Sequence, residues 1–305
     1  MNDPHFYSIG TPGQPWGDAE LAQWRSLQVR QRSYPDDVLA AVHRLRDRMD
    51  VVAYGEVVYA DGRFPLFALR SPAWNPALPS VLVTGGVHGY ETSGVHGALR
   101  FAEQHAPRYA GHVNLLVVPC VSPWAYEHIQ RWNFDAIDPN RSFREPSPSQ
   151  EAAALMRLVA PLHGQFVAHI DLHETTNTDE SEYRPAVAAR DGKVFVPGSI
   201  PDGFYLVDDT ENPQPEFQQA IIQAVAQVTH IAPADGKNEI IGSPVVAPGV
   251  IQYAMQTLGL CPSVSGARYT STTEVYPDSP RATPAQCVAA QVSAVCAAVD
   301  FVCGL

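Results

Sequence analysis

Four stretches of the 305-residue chain carry side chains that could hold a metal ion and move a proton. In "VLVTGGVHGYETSG" (81–94) an apolar run breaks at two glycines and presents His88 and Glu91 three residues apart. "RWNFDAIDPNRSF" (131–143) carries Arg131, Asp138, Asn140 and Arg141, and "HIDLHETT" (169–176) carries His173. "TSTTEV" (270–275) ends on Glu274 and Val275. A catalytic zinc site takes three protein ligands, often two histidines and a glutamate, and keeps one position open. His88, Glu91 and His173 fit that set. His169 lies four residues before His173 on the same strand face and is its rival. Each residue alone reads as an ordinary strand-end hydrogen-bonding group; the set in this order points to a metal-assisted hydrolase. Arg131 beside a metal would put fixed positive charge where an oxyanion develops.

The elements that must position these groups follow from periodicity. "SVLVTGG" and "VNLLVVPCVSP" are near-continuous apolar runs, as in strands buried on both faces, and "FVAHIDLHE" reads as a third strand. "TSGVHGALRFAEQHA", "SPSQEAAALMRLVAPLHG", "PQPEFQQAIIQAVAQVTH" and "TPAQCVAAQVSAVCAAVDFVCG" have helical spacing and cap residues. "VVAYGEVVYADGRFPLFALRS" reads as a hairpin around "ADGR", and "PSVSGARYTSTTEVYPDS" holds a late strand. This alternation predicts an α/β fold: one domain over 51–305 with a mixed, largely parallel sheet flanked by helices. Residues 1–50 form an N-terminal extension that contains helical segments, "DAELAQWRSLQVRQR" and "SYPDDVLAAVHRLRDRM", the latter with Ser33 as its cap. In open α/β sheets ligands bind at the carboxyl ends of strands, where all the reactive residues fall.

Composition narrows the partners. A formal net charge of -12, with no Lys/Arg cluster, excludes a nucleic-acid partner of the usual basic kind. Five scattered cysteines without a CxxC pair argue against a disulfide framework and for a reducing compartment. No secretory leader is visible, and no stretch is expected to approach 18 uncharged apolar residues, so no membrane partner and a cytoplasmic location are expected. A serine hydrolase finds no GxSxG motif.

The four stretches, in this order, resemble the zinc carboxypeptidase family, the pancreatic carboxypeptidase-like metallopeptidases, in a divergent bacterial-type branch. The resemblance covers about residues 50–305. It implies one Zn²⁺ on His88, Glu91 and His173, with Glu274 as the general base that takes a proton from the attacking water. It further implies that Arg131 polarises the scissile carbonyl, that Asn140 and Arg141 hold the substrate's free carboxylate, and that Asp138 orients His88. Tyr253, with Tyr269 as rival, is the candidate for the tyrosine that closes over that carboxylate. "NRSF" departs from the family's Asn-Arg-Asn only after the pair. The implied reaction is hydrolysis of a C-terminal peptide or amide bond in a small substrate with a free carboxylate. The "DLH" segment is similar also to the aspartoacylase and succinylglutamate desuccinylase family, which removes acyl groups from amino acids. The short stretch after Glu274 favours the carboxypeptidase topology over that alternative. A non-catalytic metal- or peptide-binding protein is the second alternative.

Overall fold

A computed structural model describes residues 7–304; the first six residues of the expected N-terminal extension, and Leu305, lie outside the described residues. In chain order the elements are α1 (Asp18–Ser26), a short π-type turn Pro35–Leu39 running into α2 (Ala40–Arg44), β1 (Asp50–Tyr59), β2 (Gly62–Arg70) and β3 (Ser80–Gly85). Then come α3 (Thr92–Gln104), β4 (Asn114–Val118), α4 (Pro123–His128), α5 (Gln150–Val159), β5 (Phe166–Glu174) and α6 (Arg184–Arg190). The chain closes with β6 (Tyr205–Asp209), α7 (Pro215–Val225), β7 (Glu239–Ile240), β8 (Ser243–Pro244), β9 (Val250–Tyr253), α8 (Met255–Leu258), β10 (Tyr269–Val275) and α9 (Pro284–Cys303).

Eight strands form one sheet in the order β1-β2-β4-β3-β5-β10-β6-β9, and β7 and β8 make a separate ladder. The centre, β4-β3-β5-β10, is parallel; the β1-β2 hairpin and β6 join it antiparallel. This is the α/β, largely parallel mixed sheet that the alternation predicts. The apolar runs are continuous because both faces are covered. Val81 and Val83 point with Leu115 and Val117 into the core under α3, α7 and α9, whereas Leu82 points with Leu116 and Val118 toward Leu155 and Val159 of α5.

Two predicted caps close their helices through the side chain: Ser149 accepts the Ala152 N–H, and Thr283 with Gln286 forms a capping box on α9. Ser33 caps as predicted, its hydroxyl oxygen accepting the Asp36 N–H at 3.2 Å while the hydroxyl donates to the Asp36 carboxylate at 2.6 Å, and the helical run behind it starts in a wide turn. α9 corrects another expectation. By length and composition it is apolar enough to cross a membrane, because only Asp300 interrupts it. It lies instead against α3, α7, β5 and β10, the packing of a core helix in a layered α/β fold. All five cysteines are free thiols.

Candidate metal centre and cleft

His88 leaves the sheet three residues past the end of β3, and the turn that carries it depends on glycine. Gly86 adopts φ +60°, and a Cβ at Gly89 would fall 1.9 Å from the carbonyl carbon of Ala125, so only glycine fits this close approach. Glu91 follows at the start of α3. His173 sits on β5, directly beside β3, and Glu274 pairs in register with His173 on the next strand, β10. Three neighbouring parallel strands therefore bring the distant motifs to one sheet edge.

There His88, Glu91 and His173 offer one ligand atom each, all within 4.8 Å of one another, and all three side chains are buried. The two imidazoles face each other through Nδ1, 3.2 Å apart. Each has its other nitrogen held by an aspartate: His88 Nε2 lies 3.0 Å from Asp138 Oδ1, and His173 Nε2 lies 2.7 Å from Asp171 Oδ2. An imidazole whose Nε2–H donates to a carboxylate presents the Nδ1 lone pair, the tautomer a metal needs. Glu91 Oε1 lies 2.8 Å from His88 Nδ1. Its Oε2 is also 2.8 Å from His173 Nδ1, but no hydrogen bond reaches this buried oxygen. Two facing lone pairs and an orphaned carboxylate oxygen form a donor set that fits a small divalent cation. Burial would raise Glu91, but His173 and His88 outweigh it and hold the carboxyl at about 2, so it is an anion at neutral pH.

Asp138 organises the loop around this centre. Oδ1 accepts the Asn140 N–H at 2.8 Å as well as meeting His88, and Oδ2 accepts from Arg131 Nε at 3.1 Å. Burial opposes its ionisation, yet Arg131 and His88 bring its pKa well below the usual carboxylate range. Arg131 also faces Asp179 at 3.5 Å, and Tyr90 donates to that carboxylate at 2.8 Å. We expect Asp171→Asn to weaken metal affinity by about 10–100-fold without loss of fold, because the amide offers His173 a weaker acceptor. Competition titration against a chelating dye reads this directly, and an unchanged affinity would remove Asp171 from the metal-orienting group.

Above the centre opens a cleft of about 910 Å³, lined among others by Arg131, Asp138, Arg141, Thr175, Tyr253 and Glu274. Glu274 Oε2 accepts from Thr175 Oγ1 at 2.9 Å, and Thr175 is 2.7 Å from the Tyr205 hydroxyl. Burial, offset in part by His173, pushes the Glu274 carboxyl up to about 8. Among the cleft cations, Arg131, Arg184, Arg190 and Lys193 each face a carboxylate. Among the described residues Arg141 and Arg144 do not; Arg141 donates to the Asn140 carbonyl at 2.7 Å and is otherwise exposed to the cleft.

The structure separates the two tyrosine candidates. Tyr253 lines the cleft, whereas Tyr269 packs between Phe217 and Phe301 in the core. Asn140, expected to hold the substrate carboxylate together with Arg141, is not among the residues that line the cleft as Arg141 is. It is buried, its Oδ1 accepts the Cys261 N–H at 2.8 Å, and its Nδ2 lies 3.4 Å from His173 Nε2. Its amide thus braces the loop against Cys261 rather than opening into the cleft. His169 turns away from the centre to Thr84, 3.0 Å from Nε2, which leaves His173 as the facing histidine. In "HIDLHETTNTDESE" the sequence offers Asp171, Glu174 and Asp179 as support for the site and a solvated acidic loop, and it gives no role to Thr175 or Tyr205.

Comparisons with known proteins follow the same lines. Residues 77–195 match the family model described as the succinylglutamate desuccinylase/aspartoacylase catalytic domain, a stretch that holds His88, Glu91, Asp138, Arg141 and His173 but not Glu274. No curated protein matches the chain. Among solved structures, a "putative metallopeptidase" from Shewanella denitrificans OS217 superposes with a TM-score of 0.65 at 22% identity, covering 88% of this chain and 91% of its own. A metallo-carboxypeptidase from Burkholderia cenocepacia gives 0.57 at 17% identity, covering 94% and 69%. A succinylglutamate desuccinylase/aspartoacylase from Rhodobacter sphaeroides gives 0.51 at 17% identity, covering 82% and 65%. At these identities the structural likeness is one of fold. Both families that the motifs resemble reappear, the acyl-amino-acid hydrolases in the family model over residues 77–195 and the carboxypeptidases in the fold.

Proposed function

We propose that the protein is a zinc-dependent hydrolase of the carboxypeptidase type, cleaving the amide bond next to a free carboxylate and releasing the terminal amino acid. The observation that carries this reading is a buried His-Glu-His donor set that meets, through Asp138 and Glu274, a cleft holding the half-buried Glu274 carboxyl and an unpaired guanidinium on Arg141. His88, Glu91 and His173 would hold the ion, which when bound acidifies water and polarises a carbonyl group. Glu274 accepts a proton at its carboxylate and passes it to the departing amine; Thr175 and Tyr205 fix its orientation. Arg131, locked by Asp138 and close to Asp179, holds a fixed positive charge toward the developing oxyanion. Arg141 is free to grip the substrate carboxylate through two parallel N–H···O bonds, and Tyr253 stands on the wall of the same cleft. The expected setting is the cytoplasm.

The family-model match favours a second reading, removal of an acyl group from an N-acyl amino acid. Both reactions break an amide whose amine side bears a carboxylate, and they differ in what lies on the carbonyl side. A zinc-loaded screen of C-terminally free peptides against N-acyl amino acids separates them: release of amino acids from peptides supports the first, and turnover of N-acyl amino acids alone replaces it by the second. Arg141→Ala should raise KM for carboxylate substrates by about 100-fold with a smaller change in kcat, and leave C-terminally amidated analogues nearly unaffected. Equal losses on both substrate types would show that Arg141 does not bind the carboxylate.

A further inference from the structure

The N-terminal segment has no counterpart in the motifs, yet it builds part of the cleft. Trp16 and Leu21 line it, facing Val187, Val194, Phe195 and Val196. The segment is tied on both sides. The Trp16 N–H donates to the Arg190 carbonyl at 2.9 Å, and Pro15 bridges to Asp191. Arg190 donates to the Ala136 carbonyl at 2.9 Å and lies 4.5 Å over the Trp132 ring, while Trp16 and Trp24 both pack on Trp132. Arg25 donates to the Phe134 carbonyl at 3.0 Å.

The apolar patch therefore meets the 131–144 loop at its 132–136 end. Arg141 stands at the opposite end, where Phe143 N–H donates to the Gly259 carbonyl. Val194 and Val196 are 87% and 76% exposed, the two most exposed large apolar side chains among the described residues. Isolated exposed valines need no explanation, but here they share the lining of the cleft with Phe195, Trp16 and Leu21. The neighbouring Arg184, Arg190 and Lys193 have carboxylate partners, so the unmatched surface of this wall is apolar.

We propose that Trp16 and Leu21, with Val187 and the Val194–Val196 stretch, form a subsite for an apolar acyl group on the carbonyl side of the scissile amide. The inference rests on the reading that Arg141 takes the carboxylate on the amine side, which directs the carbonyl side toward the other end of the loop. An acyl chain of about eight carbons lying on this wall removes apolar surface on both partners from water, and an acetyl group is too short to reach it. Specificity for the acyl group then resides in a segment that carries no metal ligand.

The test uses the full chain as the zinc-loaded Glu274→Gln protein, whose turnover is slowed about 10³-fold, titrated calorimetrically with N-octanoylglycine and N-acetylglycine. N-octanoylglycine should bind at least about tenfold tighter. That advantage should shrink below about threefold in Val194→Ser/Val196→Ser, whose exposed positions leave folding intact, and also in Leu21→Ser, with N-acetylglycine affinity unchanged in both. Equal affinity for the two probes, no binding of the octanoyl probe, or an advantage that survives both variants overturns the subsite. A wild-type protein that hydrolyses no carboxylate-bearing amide, while the octanoyl preference is present and lost in the variants, overturns the function and leaves the subsite standing.

Discussion

Glu274→Gln should leave one metal ion per chain and lower kcat by about 10³-fold, the usual contribution of a positioned general base. The substitution keeps the shape of the side chain and its contact with Thr175, 2.9 Å from the carboxyl oxygen, but removes the site for the proton. Folding should not suffer. The carboxyl is held at about 8 by burial, against an ordinary 4.5, so in the metal-free protein it is mostly neutral at pH 7 and glutamine imitates that state. The sign of the linkage follows. Between about 4.5 and 8 the unfolded chain is ionised here and the folded chain is not, so this group lowers stability as pH rises through that window. Metal-free Glu274→Gln should therefore lose less stability than wild type between pH 5 and pH 8, a difference that urea titrations at the two pH values resolve. Retained kcat in the metal-loaded variant would reject Glu274 as the base; an unchanged pH slope would place its titration elsewhere.

His173→Ala should abolish stoichiometric metal binding and destabilise the protein by about 3–5 kcal/mol. The two effects have one cause. His173 stands between the carboxylates of Glu91 and Asp171, 2.8 and 2.7 Å away, and all three side chains are buried. Against the effect of burial, those two neighbours raise the His173 pKa well above its ordinary value. Removing it leaves Glu91 with His88 alone and Asp171 with the Thr84 hydroxyl alone, two buried anions short of compensating charge, and strips one nitrogen from the donor set. Metal content after dialysis and the urea midpoint report the two effects separately. A variant that retains one tightly held ion would show that His173 is not a ligand. Full stability without the ring would mean that Glu91 and Asp171 do not depend on it.

The layout of the sheet was legible because its central strands are buried on both faces and therefore uniformly apolar, as in "SVLVTGG" and "VNLLVV". β6 and β9 escaped notice. They span only Tyr205–Asp209 and Val250–Tyr253, too short for alternation to register, and β6 ends in two aspartates that read as loop. α4 and α6 were missed for a similar reason: each is barely two turns long and carries a proline in its first turn. At the site, the ligand triad announced itself by residue type and order. Thr175 and Tyr205 did not, because a hydrogen-bonded partner is chosen by tertiary distance, and serine, threonine and tyrosine near a strand end are common. Asn140 shows the converse. Its place beside Arg141 in sequence suggested a shared task, but a tight turn at Pro139–Arg141 sends the two side chains in different directions.

The pairing of Glu274 with His173, and of Gly85 with Leu172, fixes the reactive groups to adjacent rungs of one hydrogen-bonded ladder. Spacing at the centre is thus set by the strand-to-strand distance of a sheet, a length that side-chain repacking barely alters. Such an arrangement cannot breathe piecemeal. Displacing His173 relative to Glu274 requires central strands to part, an opening that belongs with global unfolding rather than with loop fluctuation, whereas His88 and Glu91 ride on the glycine turn that follows β3. Exchange of the bound ion with free isotope should then be governed by traffic through the cleft mouth, while the scaffold beneath stays fixed like a ruler.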